Sequence, residues 1–382
     1  MARTLILVST SYPEAGDGRE AAGAFVADFA RELASMTPVC MVAAGTRDYE
    51  EHPLPALTVR HFSCPRLPLS LLSPMRAADW TSISATLRAG QRAVSAAVRE
   101  FDARAVLGLW ALPSGWWARR AAAAAGIPYG TWCLGSDIWT YGKSFLTRPL
   151  LRRVLKDGRF LYADGMALCR DVERIGGRPC DFLDSSRTLP APRIAREADR
   201  QAPWRLAFLG RWHSNKGVDL LLEALDGLGD EDWKRIERVR IHGGGPLEPV
   251  VQRGCAALAA RGRPVECAGY LDAQGAADFL HWTDWLVIPS RIESIPVIFS
   301  DALQARCPVI SNPAGDLGTL VGRLGVGHVA RDISAAALRE AMVAALHSKP
   351  SVHQAALNEA LAEIGPRRAA ERLLTNLAGI GA

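Results

Sequence analysis

Short runs of apolar, β-prone residues alternate with helical patterns along most of the chain, and this alternation restricts the fold more than any other feature. Parallel strands need a crossover of about a dozen or more residues, usually a helix, so the pattern predicts βαβ units and parallel sheets. In the first half the predicted strands are Leu5–Ser9, Val39–Ala43, Thr58–Phe62, Ala105–Leu109, Tyr129–Trp132 and Met166–Cys169. The predicted fold class is α/β.

The polar, proline-containing stretch 187–203 has no sustained apolar period and predicts a linker. A second alternating series follows, with predicted strands over Arg205–Leu209, Val239–His242, Val265–Ala268, Trp285–Ile288 and Pro308–Ser311. We therefore predict two Rossmann-like, doubly wound domains over 1–190 and 204–365, with a final helix over 366–382 completing the first. Ligands of such sheets bind at the carboxyl ends of the strands, so the two domains are expected to face a cleft.

Composition and charge exclude several classes of protein. A hydrophobic content of 49% with 22% charged residues is typical of a globular chain, not a disordered one. No run reaches the ~18 apolar residues of a membrane-spanning helix, and a net charge of +5 is too small to indicate a nucleic-acid partner. The eight cysteines have neither CxxC nor zinc-site spacing, which predicts free buried thiols and a cytoplasmic protein.

The strongest local motif is FLGRWHSNKG, residues 208–217, which follows the first predicted strand of the second half. Gly210 would permit a tight turn, and Arg211 and Lys216 would lie in the loop before a helix. Two cations beside a helix N-terminus favour an anion such as a phosphate. A solvated loop with two surface cations is the alternative interpretation.

A glycine-rich turn, IHGGGP, follows the next predicted strand. Gly244 and Gly245 would let the backbone approach a ligand closely, and Pro246 would occupy the first position of the next helix. A purely structural turn between strand and helix remains an equally good interpretation.

The third motif, PSRIESIPVIFSDALQ, follows a further strand. Glu293 would accept hydrogen bonds from sugar hydroxyls, and Asp301, within the following helix, would reach a ribose. The backbone amides of the helix start would face an anion. This start comprises Ser294, Ile295, Pro296 and Val297.

These three segments, in this order, resemble the donor-binding domain of the retaining GT-B glycosyltransferases of family 4. The family patterns are a G-R loop with K-G, a G-x-G-P turn, and an E-x7-E segment followed by a P-V-I strand. The N-terminal half adds weaker matches to the acceptor side of the family. They are YPEAGDGREAAGAFV with Gly23, WALPSG with Trp110, and GSDI with Ser136 and Asp137.

The resemblance implies a GT-B fold and a nucleotide-sugar donor, with no cofactor or metal. Arg211 and Lys216 would hold the donor diphosphate, Glu293 the transferred sugar and Asp301 the ribose. Tyr270 and Leu271 would contact the base. Asp301 stands where the family usually has Glu, and leucines replace histidines on the acceptor side. These leucines are Leu107, Leu109 and Leu134.

The predicted function is sugar transfer from a nucleotide-sugar to a glycan or lipid-linked acceptor in bacterial surface polysaccharide synthesis. A GT-B epimerase or hydrolase and a non-catalytic sugar-nucleotide-binding protein are the alternatives.

An acidic triplet, residues 230–232, has the spacing of a metal-binding D-x-D but no strand before it. The basic amphipathic stretch 145–161 predicts either a helix packed on its own sheet or contact with the anionic inner face of the cytoplasmic membrane.

Overall fold

The computed structural model describes residues 3–13, 23–67, 69, 72–73, 76–194, 197 and 200–380. The chain divides into two compact units. The first comprises Met1–Arg187 with Pro366–Ala382, and the second comprises Thr188–Gly365.

The first unit is built on an eight-stranded sheet with the order β3-β4-β2-β1-β5-β6-β7-β8. All neighbouring strands are parallel except β3, which is antiparallel to β4. The strands are β1 Thr4–Ser9, β2 Val39–Gly45, β3 Tyr49–Leu54, β4 Leu57–Ser63, β5 Ala103–Leu109, β6 Tyr129–Cys133, β7 Phe160–Ala163 and β8 Asp181–Phe182.

Helices cover both faces of this sheet. They are α1 Ala24–Ala34, α2 Trp80–Glu100, α3 Trp116–Ala125, α4 Ser136–Trp139, α5 Arg148–Asp157 and α6 Met166–Gly176, together with the C-terminal helix Pro366–Ile380. Alternate residues of β1 enter opposite cores, since side chains alternate across a strand: Leu5 lies in one core and Ile6 in the other. The C-terminal helix packs against α1, and its Leu373 lies in the same hydrophobic core as the buried residues of α1.

One strand prediction in this unit is wrong, and the edge strand β3 was missed. The segment 166–169 is the first turn of α6, and the strand is the preceding run 160–163. A short apolar run cannot be assigned to strand or helix by periodicity alone, and Met, Ala and Leu are good helix formers. Strand β3 was not predicted, because its Tyr-Glu-Glu-His-Pro-Leu sequence is the polar, mostly exposed sequence of an edge strand.

The second unit is built on a six-stranded parallel sheet with the order β11-β10-β9-β12-β13-β14. Its strands are β9 Trp204–Arg211, β10 Ile236–Gly244, β11 Val265–Ala268, β12 Trp285–Ile288, β13 Val309–Ser311 and β14 Gly327–Val329. Its helices are α7 Val218–Asp226, α8 Asp230–Trp233, α9 Glu248–Ala260, α10 Ala273–Trp282, α11 Val297–Gln304, α12 Leu317–Leu324, α13 Ala335–Leu346 and α14 Gln354–Leu361. The strand order reverses between β9 and β12, and such a switch point is where doubly wound sheets bind ligands.

The predicted linker is in part attached to the second unit. The Leu189 amide donates to Gln304 Oε1 at 2.9 Å, and the Arg193 amide donates to Asp278 Oδ1 at 2.6 Å. Thus the second unit begins at Thr188 instead of at 204.

All eight cysteines are free, and Cys267 alone among them is half-buried instead of buried. None of the helices in the described part of the chain is both long and apolar enough to cross a membrane.

Candidate functional site

The loop after β9 approaches the end of β12 so closely that one position must be glycine. Gly217 has a φ of +70°, and a Cβ built on it would lie 1.9 Å from the Pro289 carbonyl oxygen. Both the positive φ and the contact exclude a side chain. The short turn 214–216 is thereby held against the segment that follows β12.

This approach brings Lys216 to Glu293. Lys216 Nζ donates to Glu293 Oε1, and Ser290 Oγ lies 3.4 Å from the same oxygen. The Glu293 side chain is only 13% exposed. Its other oxygen, Oε2, makes no hydrogen bond with any residue that the structure describes. Glu293 can therefore accept from a ligand while it holds the lysine.

A second ion pair joins the segment after β9 to the segment after β12, and its residues were not among those predicted for the site. Arg291 binds Asp219 in a bidentate pair at 2.8 and 2.7 Å, and its Nη1 also donates to the Ser214 carbonyl oxygen at 2.7 Å. Burial raises the pKa of the Asp219 carboxyl, but the Arg291 hydrogen bonds and charge outweigh it and hold that pKa below its usual value. The only sequence signal was the arginine two positions before Glu293.

The loop after β13 supports Glu293 from the other side. Gly315 has a φ of +56°, and a Cβ there would lie 1.9 Å from the Glu293 carbonyl oxygen. Asn312 Nδ2 donates to the Pro289 carbonyl oxygen at 2.8 Å. Ser294 Oγ is buried without a hydrogen-bond partner among the described residues. Ser294, Ile295 and Pro296 precede α11, which begins at Val297.

Three predicted details of the donor site differ from the structure. Asp301 lies in α11 with only 1% of its surface exposed, so its carboxylate does not face solvent where a ribose could meet it. Gly210 lies within β9 instead of in a turn, paired with Gly243. Pro246 precedes α9 instead of starting it, since the helix begins at Glu248.

Arg211 is the last residue of β9, and its side chain is exposed. It forms no ion pair with any other residue in the described ranges. Its charge is therefore available to an anion at the carboxyl end of the sheet, in the same loop as Lys216.

The glycine turn after β10 opens onto a cavity of about 340 Å³. Gly244 and Gly245 line it, and the Tyr270 hydroxyl donates to the Gly244 carbonyl oxygen at 2.6 Å. A Cβ on Gly244 would lie 2.7 Å from the Tyr270 ring. Leu271, predicted to contact the base with Tyr270, is outside the cavity lining.

The predicted acceptor-side residues all lie in the first unit. Gly23 caps α1 with a φ of +94°, Trp110 has a φ of +67° and packs edge-on against Phe25, and Ser136 is exposed at the start of α4. Asp137 is buried: its Oδ2 accepts from the Ala111 amide at 2.6 Å and its Oδ1 from the Leu134 amide at 3.1 Å. Burial raises the pKa of Asp137 to about 6. This carboxylate therefore positions two loops and offers no exposed surface to an acceptor.

The acidic triplet at the start of α8 is used locally. Asp230 pairs with Arg263, Glu231 pairs with Lys234 at 2.6 Å, and Asp232 Oδ2 accepts from the Gly229 amide at 3.3 Å. Across the described ranges, no three His, Cys, Asp or Glu side chains gather in a way that could hold a metal ion.

Residues 203–348 match the family model described as "Glycosyl transferases group 1". The predicted resemblance to a family of glycosyltransferases is therefore confirmed, at the level of group 1. Over 224 residues the chain is also 25% identical to the putative teichuronic acid biosynthesis glycosyltransferase TuaC of Bacillus subtilis strain 168. This match covers 56% of the chain and 54% of that relative, so it spans about half of each.

Solved structures of similar fold cover nearly the whole chain. An α,α-trehalose-phosphate synthase (UDP-forming) from Burkholderia vietnamiensis aligns with a TM-score of 0.75 at 12% identity, over 100% of this chain and 98% of its own. Anabaena Alr3699/HepE, solved with UDP, aligns with a TM-score of 0.70 at 12% identity, over 99% of this chain and 100% of its own. At such identities the likeness concerns the fold alone. The predicted fold class, two Rossmann-like parallel-sheet domains of the GT-B type, is confirmed.

Proposed function

We propose that this group 1 protein is a retaining glycosyltransferase, which moves a sugar from a nucleotide-diphosphate sugar to a glycan or lipid-linked acceptor in bacterial surface polysaccharide synthesis. The observation that carries the proposal is the contact of Lys216 with Glu293 at the carboxyl end of the sheet. Arg211, which forms no ion pair with a described residue, ends β9 and leads into the loop of Lys216. Cations for a diphosphate and a carboxylate for sugar hydroxyls are the two kinds of group that such a donor needs.

In this proposal Lys216 and Arg211 bind the diphosphate and stabilise the charge that develops as the bond between sugar and phosphate breaks. Glu293 Oε2 accepts from hydroxyls of the transferred sugar. The leaving phosphate accepts the proton of the acceptor hydroxyl on the same face, so the configuration is retained without a protein nucleophile. No metal or cofactor takes part in these steps.

Incubation with a panel of nucleotide-sugars tests the function. Release of the nucleoside diphosphate, with NMR of the new glycoside or free sugar, should give turnover with retained anomeric configuration. An inverted product would contradict the retaining mechanism. Interconversion of the sugar without release of the diphosphate would favour the epimerase alternative, and binding without turnover over the whole panel would favour a non-catalytic protein.

The basic stretch 145–161 supports peripheral contact of the protein with a membrane. Its helix α5 buries Leu151, Val154 and Leu155 in the core of its own unit, so that apolar face is not available to lipid. Phe145 and Leu146, in the turn before the helix, are 79% and 53% exposed. Six exposed cations surround this turn and helix, and none forms an ion pair with a described residue. They are Lys143, Arg148, Arg152, Arg153, Lys156 and Arg159.

We propose that this patch holds the protein at the cytoplasmic face of an anionic membrane, where a lipid-linked acceptor would be found. Each cation near such a surface contributes about 1 kcal/mol, and the two exposed apolar side chains add burial energy.

Co-sedimentation with vesicles tests the membrane contact. Binding should require anionic phosphatidylglycerol and should weaken with added salt, and the double variant Phe145→Ser/Leu146→Ser should weaken it about tenfold. Val352→Ser, an equally exposed apolar position in the second unit, is the matched control. Vesicle binding that does not depend on lipid charge and is unchanged in Phe145→Ser/Leu146→Ser would contradict this role of the patch.

A further inference from the structure

The cavity beside the glycine turn carries a set of polar groups that the donor motifs do not account for. Besides the glycines and Tyr270, it is lined by Trp212, Glu248 and Gln252. Glu248 and Gln252 lie one turn apart at the start of α9, so both side chains project from the same side of the helix.

The side chains from α9 present hydrogen-bond acceptors. Gln252 Nε2 donates to Glu248 Oε1 at 3.1 Å, which leaves the Gln252 carbonyl oxygen and the second Glu248 oxygen as acceptors. Nearby backbone carbonyls are already engaged: that of Gly244 accepts from Tyr270, and that of Gly269 lies 3.1 Å from His242 Nδ1. The Glu248 carboxylate therefore favours a ligand that supplies donors at this end of the cavity.

Trp212 is buried beneath the glycine turn. Its indole Nε1 has no hydrogen-bond partner among the described residues, and it lies beside Gly243, where a Cβ would be 2.9 Å away. The Nε1 atom has almost no accessible surface, so Trp212 closes one side of the cavity without offering this N–H to a ligand. The cavity thus asks for adjacent donors in one small molecule.

Of the common nucleobases, guanine fits this requirement best. Its N1–H and N2–H₂ groups are adjacent donors that a carboxylate accepts together, and its O6 and N7 are acceptors. Uracil offers one N–H between two carbonyl oxygens, which a carboxylate repels. Adenine and cytosine each place an unprotonated ring nitrogen beside their amino group.

We propose that Glu248, with Gln252, makes this cavity a guanine site, so that the donor is a GDP-sugar. The inference rests on the proposed function, since it assumes that the donor diphosphate binds at Arg211 and Lys216. Glu248 is then a specificity-determining residue at the base, outside the groups that act on the sugar.

Calorimetric titration with GDP, UDP, ADP and inosine diphosphate tests the proposal. The wild-type protein should bind GDP about tenfold more tightly than UDP or ADP, and also more tightly than inosine diphosphate, which lacks the 2-amino group. Glu248→Gln should lower the affinity for GDP by about the same factor and reduce the difference between GDP and inosine diphosphate. Glu231→Gln, an exposed glutamate of the same unit, should change neither affinity.

The outcomes separate the two proposals. Preference for UDP or ADP, or equal binding of GDP and inosine diphosphate, would overturn the guanine site and leave the glycosyltransferase proposal standing. An unchanged base preference in Glu248→Gln, with a wild-type melting temperature, would remove the role of this residue. If none of the nucleotides binds, the proposed function fails and the guanine site fails with it.

Discussion

Lys216→Ala is expected to lower kcat for sugar transfer by about 10²–10³, the usual effect of removing one preorganised group that stabilises developing charge. The loss should fall mainly on kcat, because charge on the leaving diphosphate grows as the sugar departs. KM should rise less, since Arg211 and the backbone amides around Ser294 would still bind the ground-state diphosphate. Steady-state assays of nucleotide release would measure both constants.

Lys234→Ala is the matched control, because Lys234 is also a lysine of the second unit paired with a glutamate, Glu231, but on an exposed surface at α8. Such pairs contribute at most about 1 kcal/mol, and this one lies outside the candidate site. The control should keep wild-type kcat and melting temperature. Near-normal turnover in Lys216→Ala would contradict the mechanism, and an equal loss in both variants would indicate a general effect on the fold.

Gly217→Ala is expected to lower the free energy of unfolding of the second unit by about 3 kcal/mol, combining backbone strain with the repacking that an impossible contact demands. The new Cβ would lie 1.9 Å from the Pro289 carbonyl oxygen, so the loop that carries Lys216 must move away from β12. Contact of Lys216 with Glu293 depends on that approach. We therefore expect lost activity together with a lower midpoint in urea denaturation.

Gly262→Ala separates the two causes. Gly262 has nearly the same backbone conformation, with a φ of +73°, but a Cβ there would have no heavy atom within 4 Å. Only the strain of the left-handed conformation remains, about 1–2 kcal/mol. Equal destabilisation by the two substitutions would mean that the close approach to Pro289 is not what requires glycine at position 217.

Much of the second unit could be predicted from the residues alone. The strands 265–268 and 285–288 begin and end where the pattern indicated. Strand 285–288 is a continuous, buried apolar run, and prolines and polar turns mark the ends of such strands, so this information is local. In the first unit the same reasoning failed at 166–169 and missed the polar edge strand β3, where the local signal was ambiguous or weak.

The sequence by itself determined the types of group at the candidate donor site, because cations, glycines and a carboxylate at strand ends are readable from motifs. Only the tertiary structure decided which of them meet. Lys216 and Glu293 are 77 positions apart and come together because β9 and β12 are neighbours in the sheet. The burial of Asp301 and Asp137 and the ion pair of Arg291 with Asp219 likewise depend on packing between distant segments, which local sequence does not encode.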